Sequence, residues 1–290
     1  MKKDLLSLKN LTKEDIEKIF ELTRELKGKR TKDLFEKTLI LYFEKPSTRT
    51  VVSFFVAMTQ LGGDIIYLTP REMQIERGET VSDTAKVLSR YADGIVARVF
   101  KHSTIEEIAH YASIPVINGL SDRQHPCQVI ADLFTVLEKK NTLDLNYAWI
   151  GDGSNVCNSW INAAKIFGFK LNIATPRGYE PKEKVSGKTK LTHNPKKAVK
   201  DADIVITDTW ISMGEEKEEK KRLKAFKNFQ VNSKLLRLAK PDYLFMHCLP
   251  AHRGQEVTSQ IIDGKNSIVF DEAENRLHVQ KAILYLLMKD

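Results

Sequence analysis

TLILYFEKPSTRT, residues 38–50, is the stretch on which the fold turns. Its first part, Thr38–Phe43, runs apolar or β-favouring without a break, as a strand buried on both faces does. Glu44 and Lys45 end that run, and Pro46 disfavours helical backbone in the residue before it. A helix therefore starts at Ser47 or Thr48, with a hydroxyl residue in place to cap it. Strand, polar turn and helix make the first half of a βαβ crossover. Hydroxyls, backbone N–H groups and the Arg49 guanidinium gathered at a helix N-terminus also suit an anion. A plain cap beside a surface arginine is the competing reading.

The same alternation extends in both directions. Upstream, Thr12 opens a helix whose Ile16, Ile19, Phe20 and Leu26 share a face, with Gly28 as its stop. Downstream, the helix from Ser47 ends at Gly62 and Gly63. Apolar runs at 65–68, 94–99 and 114–118 then alternate with helical patterns through 84–91, around 105–111 and over 126–139. A polar break, KKNTLDLN (139–146), precedes a second series. Its strands fall at 147–151, 171–175, Ile204–Thr207, 243–246 and 268–270, with a helix over 158–167 and a closing helix over 272–288. The expected fold is α/β: two domains, each a parallel sheet flanked by helices, joined by interdomain helices. The expected domains are 1–132, with the C-terminal helix 272–290 packing back on it, and 145–270. The charged segment GEEKEEKKR (214–222) reads as an exposed helix or loop.

Composition narrows the class. At 290 residues, 42% hydrophobic and 29% charged, the chain belongs with folded proteins and not with disordered ones. No apolar run approaches the roughly 20 residues that span a bilayer, so no membrane partner is expected. The N-terminal MKKDLLSLKNLTKEDIEKIF lacks the apolar core of a secretory signal and is too acidic for a mitochondrial transit peptide. A cytoplasmic location is expected. Cys127, Cys157 and Cys248 are too few and too scattered for a disulfide framework or a Cys-rich zinc site. Lys+Arg exceed Asp+Glu, 46 against 38, for a net charge of +8. That balance admits nucleic acid, yet the Lys-rich stretch 181–200 carries no aromatics and reads as solvated surface. A small anionic substrate suits the charge equally well.

In open parallel sheets, ligands bind beyond the carboxyl ends of the strands. Besides 44–50, the first half places Arg98 near the end of an apolar run and His125-Pro126-Cys127-Gln128 after the run 114–118. Pro126 suits a first helical turn, which puts His125 and Gln128 at one opening. A lone histidine at a helix start is more often a structural hydrogen-bonder; three polar clusters at one sheet edge weigh against that. In the second half, Gly151-Asp152-Gly153-Ser154-Asn155-Val156 is a partial dinucleotide fingerprint with Val156 where its third glycine belongs. Asp208 follows Ile204–Thr207, and His247 and Cys248 follow 243–246. Neighbours on a strand point to opposite faces, so His247 is poorly placed to activate the Cys248 thiol. The thiol reads instead as a ligand contact or proton acceptor. Arg276, at the start of the last helix, could return a cation to the cleft. One half thus suits a phosphate and a polarised carbonyl, the other a zwitterionic or cationic small molecule. No P-loop, His-Glu-x-x-His or calcium-loop pattern is present.

These residues also carry a resemblance. FEKPSTRT (43–50) resembles the carbamoyl-phosphate signature shared by aspartate and ornithine carbamoyltransferases. HPCQ (125–128), DTWISMG (208–214), HCLPAHRGQEV (247–257) and DEAENRLH (271–278) together resemble the ornithine branch, in matching order over almost the whole chain. The resemblance implies transfer of a carbamoyl group from carbamoyl phosphate to the δ-amine of L-ornithine, giving L-citrulline and phosphate. A related acceptor, putrescine or an acylated ornithine, is the alternative. A nucleotide- or nucleic-acid-binding module, resting on net charge and GDGSNV, is the rival class.

Residue by residue, the resemblance implies that Ser47, Thr48, Arg49 and Thr50 hold the phosphate. Arg98, His125, Gln128 and Arg276 complete that site, with Gln74, Cys248 and Leu249 as further members. Asn155, Asp208, Ser212 and Met213 are implied to bind ornithine. Cys248 is implied as proton acceptor, with Arg98, His125 and Arg276 also taking part in catalysis. A trimer or multiple of trimers, no metal, no organic cofactor and no nucleic-acid partner are implied as well. One departure stands out. Relatives commonly have Arg directly after STRT and Glu four residues on, where this chain has Val51 and Phe55. Positions i and i+4 share a helix face, so an apolar pair replaces a charged one. Altered packing at a subunit contact, with activity retained, is the expectation.

Overall fold

The structure, a computed structural model, describes residues 3–212 and 214–289. It divides into two compact units: one ends at Phe134 and takes up the chain again at Glu274, and the other is Thr135–Ala273. In the first unit, Thr12 caps α1 (Lys13–Leu26) in a capping box with Asp15, and α1 buries Ile16, Ile19, Phe20 and Leu26. The chain then runs through β1 (Thr38–Phe43), α2 (Thr48–Gln60), β2 (Asp64–Leu68), α3 (Val81–Tyr91), β3 (Gly94–Arg98), α4 (His102–Tyr111), β4 (Val116–Leu120) and α5 (Pro126–Lys140). The four strands are parallel in the order β2-β1-β3-β4. β1 lies inside the sheet, which explains its unbroken apolar run: every residue after Thr38 is buried. Gly63 turns α2 into β2 in a space that admits no side chain, since a Cβ there would stand 2.9 Å from two carbonyl oxygens, those of Leu34 and Lys37. At the end of β3 the pairing with β4 slips, from Ala97 opposite Asn118 to Arg98 opposite Leu120. A bulge of this kind re-aims a strand-end side chain, and here it falls at Arg98.

The second unit holds β5 (Asn146–Ile150), α6 (Asn155–Phe167), β6 (Lys170–Ala174), β7 (Thr189–Thr192), α7 (Pro195–Val199), β8 (Ile204–Thr207), α8 (Glu219–Phe226), α9 (Ser233–Leu236), β9 (Leu244–His247) and α10 (Ser259–Ile262). The last helix, α11 (Val269–Met288), begins in this unit and ends in the first, as α5 passes the other way. Five parallel strands stand in the order β7-β6-β5-β8-β9. Tyr147 and Phe169 pack with ring centres 4.2 Å apart, and Trp160 lies 5.3 Å from Tyr147.

Several expectations need correction. Residues 268–270 are not a strand. Ser267 makes a single bridge to Phe245, the Ile268 N–H donates to the Phe245 carbonyl, and α11 already begins at Val269. A three-residue apolar run does not separate a strand from a helix start. β7 lies within the Lys-rich stretch read as plain surface. It is an edge strand, and edge strands commonly carry lysine. α3 starts ahead of residue 84 because Thr80 caps it, accepting from the Asp83 N–H at 3.0 Å. β4 runs 116–120, not 114–118. Val51 is half-buried and Phe55 exposed on α2. Among the described residues, no helix is long and apolar enough to cross a membrane.

Candidate functional site

Polar side chains collect at the carboxyl ends of the strands in each unit. In the first, Ser47 is the N-cap of α2, accepting from the Thr50 N–H at 3.4 Å and donating to Thr50 Oγ1 at 3.0 Å. The same Oγ1 accepts from Arg276 Nη2 at 2.6 Å. Thr50 and Arg276 are both buried, so this charge-assisted bond lies out of water. Thr48 is exposed and Arg49 half-buried at the same helix start. Arg98, at the tip of β3, is buried, as are His125 and Gln128 at the start of α5. Gln128 Nε2 donates to Asp132 Oδ1 at 2.8 Å, one turn along the helix. Burial, reinforced by the Arg276 and Arg98 guanidiniums, holds the His125 imidazole well below the usual histidine range. His125 is therefore neutral at physiological pH and acts as a donor or acceptor, not as a cation. Gln74 sits elsewhere in the element order, exposed on a 3₁₀ turn after β2, where its amide accepts from Arg77 at 3.5 Å.

In the second unit, Asp208 follows β8 and is buried. Its Oδ1 accepts from the Cys248 thiol at 3.2 Å and from the Thr209 N–H at 2.7 Å, and its Oδ2 accepts from Ser154 Oγ at 3.2 Å. Ser154 caps α6, so the next residue, Asn155, opens that helix at the same strand edge. Beyond β9, Leu249 takes left-handed backbone (φ 56°) before a cis bond to Pro250. Its N–H donates to His247 Nδ1 at 2.9 Å, while His247 Nε2 faces the buried Glu256 carboxylate at 3.2 Å. Both imidazole nitrogens are thereby engaged, one by the Leu249 N–H and one by the Glu256 carboxylate. Asp208, His247 and Cys248 do bring possible metal-ligand atoms within 4.8 Å of one another. With His247 committed on both sides, that group keeps two ligands to offer, fewer than metal centres generally use. Cys127 and Cys157 are buried, and burial pushes Cys127 up to about 12 and Cys157 well above its ordinary value, so both are inert thiols.

Ser212 lies on a loop whose hold was not legible in the charged segment 214–222. Arg222 of α8 is buried, not solvated. It donates to the Trp210 carbonyl at 3.0 Å and to Glu215 Oε1 at 2.5 Å, lies 3.5 Å from Asp152 Oδ2, and stacks 5.1 Å over the Tyr179 ring. Glu215 in turn accepts from the Ser212 N–H at 2.9 Å. Burial raises Asp152 to about 7; Arg222 opposes the shift, and Glu215 and Asp208 add to it. Nothing in the period of the charge run marks Arg222 as the buried member. Met213 lies outside the described residues.

The glycines after β5 do not serve a dinucleotide. The Gly153 N–H donates to the Tyr179 carbonyl at 2.9 Å, and a Cβ on Gly153 would stand 2.3 Å from the Pro181 nitrogen. The close approach that a pyrophosphate makes in a Rossmann turn is filled here by the chain itself. Missing the third glycine, GDGSNV is a packing motif.

The chain is similar to known proteins over nearly its whole length. Residues 3–138 match the family description "Aspartate/ornithine carbamoyltransferase, carbamoyl-P binding domain", and residues 143–287 match "Aspartate/ornithine carbamoyltransferase, Asp/Orn binding domain". The chain is 51% identical over 302 residues to the ornithine carbamoyltransferase of Methanosarcina acetivorans, with 100% of both chains covered. It is 52% identical over 303 residues to a Pyrococcus furiosus protein named ornithine carbamoyltransferase, anabolic, covering 99% of this chain and 96% of that one. The solved structure of the P. furiosus ornithine carbamoyltransferase matches with a TM-score of 0.94 at 52% identity, over 98% of this chain and 96% of that one. The ornithine transcarbamoylase of Giardia lamblia matches at 0.88 with 32% identity, over 99% and 98%.

Proposed function

The chain belongs to the aspartate/ornithine carbamoyltransferase family, and from that premise we propose that it transfers the carbamoyl group of carbamoyl phosphate to the δ-amine of L-ornithine, forming L-citrulline and phosphate. The observation that carries the reading is the buried bond from Arg276 to Thr50, which draws a guanidinium onto the N-terminus of α2. Helix N–H groups, hydroxyls and a cation aimed together are what a phosphate dianion needs. Ser47, Thr48, Arg49 and Thr50 hold the phosphate, and Arg276 and Arg98 stabilise it as it leaves. Neutral His125 donates to the carbonyl oxygen where negative charge develops; a donor of that kind is worth about 3–4 kcal/mol. Gln128 takes the carbamoyl amide, and Gln74 and Leu249 are further contacts of the same substrate.

The acceptor amine resembles a lysine side chain, so about one molecule in a thousand, or fewer, is a free nucleophile near pH 7. Its nitrogen attacks the carbonyl carbon, the bond from that carbon to the phosphate oxygen breaks, and the amine gives up a proton. Cys248 takes that proton as a relay: its own thiol hydrogen passes to Asp208 Oδ1, the acceptor it faces at 3.2 Å, as the sulfur receives the one from the amine. Asp208 also pairs with the α-ammonium of ornithine, and Asn155, Ser212 and Met213 hold the amino-acid end. No redox step and no covalent enzyme intermediate enters. The enzyme acts as a trimer or multiple of trimers in the cytoplasm. Exposed Val52 and Phe55 on α2, with exposed Ile66 and Tyr67 on the neighbouring edge strand β2, support association of copies. The test is citrulline formation with carbamoyl phosphate and, in turn, L-ornithine, putrescine and N-acetyl-L-ornithine. L-ornithine should exceed the other two by orders of magnitude; a preference for either of them overturns the assignment.

A further inference from the structure

The loop that carries His125 is latched to the start of α4 by a histidine outside the cluster described above. Fully buried Ser121 is the hub. Its Oγ accepts from the Gln124 N–H at 3.2 Å and meets His102 Nδ1 at 2.7 Å, while its own N–H closes the turn onto the Gln124 carbonyl at 3.0 Å. The His102 backbone N–H donates to Asp122 Oδ1 at 2.8 Å. That bond caps α4 from across the sheet edge, since the N-cap residue Lys101 supplies no side-chain cap. His102 thus holds Ser121 through its ring and Asp122 through its backbone. β3 ends in Arg98 shortly before α4, and β4 feeds the loop that ends in His125. The latch joins the two strand-end segments that bear these residues.

The bonding pattern depends on a neutral ring. His102 is buried, and burial lowers its imidazole below the ordinary histidine value; Glu106 and Asp122 oppose the shift, and Arg123 and Lys9 add to it. A neutral imidazole with its hydrogen on Nε2, toward Glu106 at 3.7 Å, accepts at Nδ1. The single Ser121 hydroxyl hydrogen then goes to Nδ1, and its oxygen stays open to the Gln124 N–H. Without that acceptor the hydroxyl turns to the Gln124 carbonyl at 3.4 Å, which the Ser121 N–H already holds.

We propose that His102 is a positioning residue for carbamoyl phosphate: by orienting the Ser121 hydroxyl it sets the 121–125 turn and, with it, the placement of His125 relative to Arg98. The inference rests on the site assigned to those two residues under the proposed function. It is tested on the full chain with His102→Phe, which keeps a ring without nitrogen, and with Ser121→Ala. His102→Asn presents an amide oxygen near the Nδ1 position, and Ile105→Val trims the same helix away from the latch. His102→Phe and Ser121→Ala should each raise the KM for carbamoyl phosphate, and the Kd for inorganic phosphate by calorimetry, about 10-fold, as the loss of one buried hydrogen bond implies. The ornithine KM should stay within about two-fold, and His102→Asn should recover most of the lost affinity. Unchanged phosphate affinity in both His102→Phe and Ser121→Ala overturns the latch. So does an equal loss of affinity in Ile105→Val at the same drop in Tm. Wild-type enzyme that binds phosphate but forms no citrulline counts against the functional reading alone, and the phosphate titrations still decide the latch.

Discussion

Thr50→Val isolates the contact on which the phosphate site depends. Valine is nearly isosteric with threonine, so packing around this buried position is kept while Oγ1 is lost. In the wild type that oxygen accepts from Arg276 Nη2 at 2.6 Å and from Ser47 Oγ at 3.0 Å. The α2 cap itself survives, because the Thr50 N–H still donates to Ser47 Oγ. A hydrogen bond to a charged group contributes roughly 1.5–3 kcal/mol, and a buried guanidinium arm left without it incurs a comparable penalty. About 2 kcal/mol is therefore at stake, which converts to roughly a 30-fold change. Initial rates of citrulline formation, with carbamoyl phosphate varied at saturating ornithine, should show kcat/KM lower by that factor. The KM for ornithine should hardly move, and Thr50→Ser, which keeps the oxygen, should stay near wild type. A Thr50→Val enzyme whose kcat/KM for carbamoyl phosphate matches wild type would refute the reasoning, because the Arg276 contact would then be incidental to the site.

Other outcomes follow from the same geometry. Asp208→Ala removes the acceptor for both Cys248 and Ser154 and should raise the KM for ornithine far more than that for carbamoyl phosphate; steady-state kinetics showing equal rises would undo the division of substrates between the two units. Gly153→Ala drives a methyl into the backbone at Pro181 and should cost about 3 kcal/mol, read as a lower urea midpoint; an unchanged midpoint would remove the close approach. Asp152, raised to about 7 in the fold from an unfolded value near 3.8, binds its proton more tightly when folded. Its contribution is fully present below about pH 4 and is lost as pH rises toward 7. Asp152→Asn should therefore flatten the decline in stability between pH 4 and 7, measured by chemical unfolding across that range; a slope equal to wild type would show that Asp152 titrates normally.

What the sequence made legible was what local pattern encodes. A strand inside a parallel sheet is buried on both faces, so Thr38–Phe43 and Ile204–Thr207 stand out as apolar runs whatever packs on them. Residues just past such runs lie at the carboxyl edge by construction, and Arg98, His125 and Asp208 were findable for that reason. What stayed hidden depends on partners remote in sequence. Arg222 is buried because Asp152, Tyr179 and Glu215 surround it, yet it sits in a run of charges with no period to mark it. The edge strand β7 is masked by lysines for the physical reason that an edge is kept unattractive to other strands. GDGSNV looked like a phosphate turn, but whether a glycine receives a ligand or another segment of its own chain is settled by tertiary packing.

The electrostatics of the two units bear on how the amine could be activated. In the second unit one buried arginine answers several carboxylates: Asp152, Glu215 and Glu218 all approach Arg222, and Asp208 lies near enough to push Asp152 upward. A field of that sign attracts an α-ammonium, but it raises an amine's pKa and so works against freeing a nucleophile. The first unit does the opposite. Burial, helped by Arg98 and Arg276, suppresses the charge on His125, and any amine brought into that environment is pressed the same way. The proposed reaction accordingly uses carboxylates to hold the α-ammonium end of ornithine and guanidiniums to favour the neutral form of its δ-amine, whose proton goes to Cys248. On that account the cations proposed to bind the phosphate also favour the nucleophilic form of its attacker.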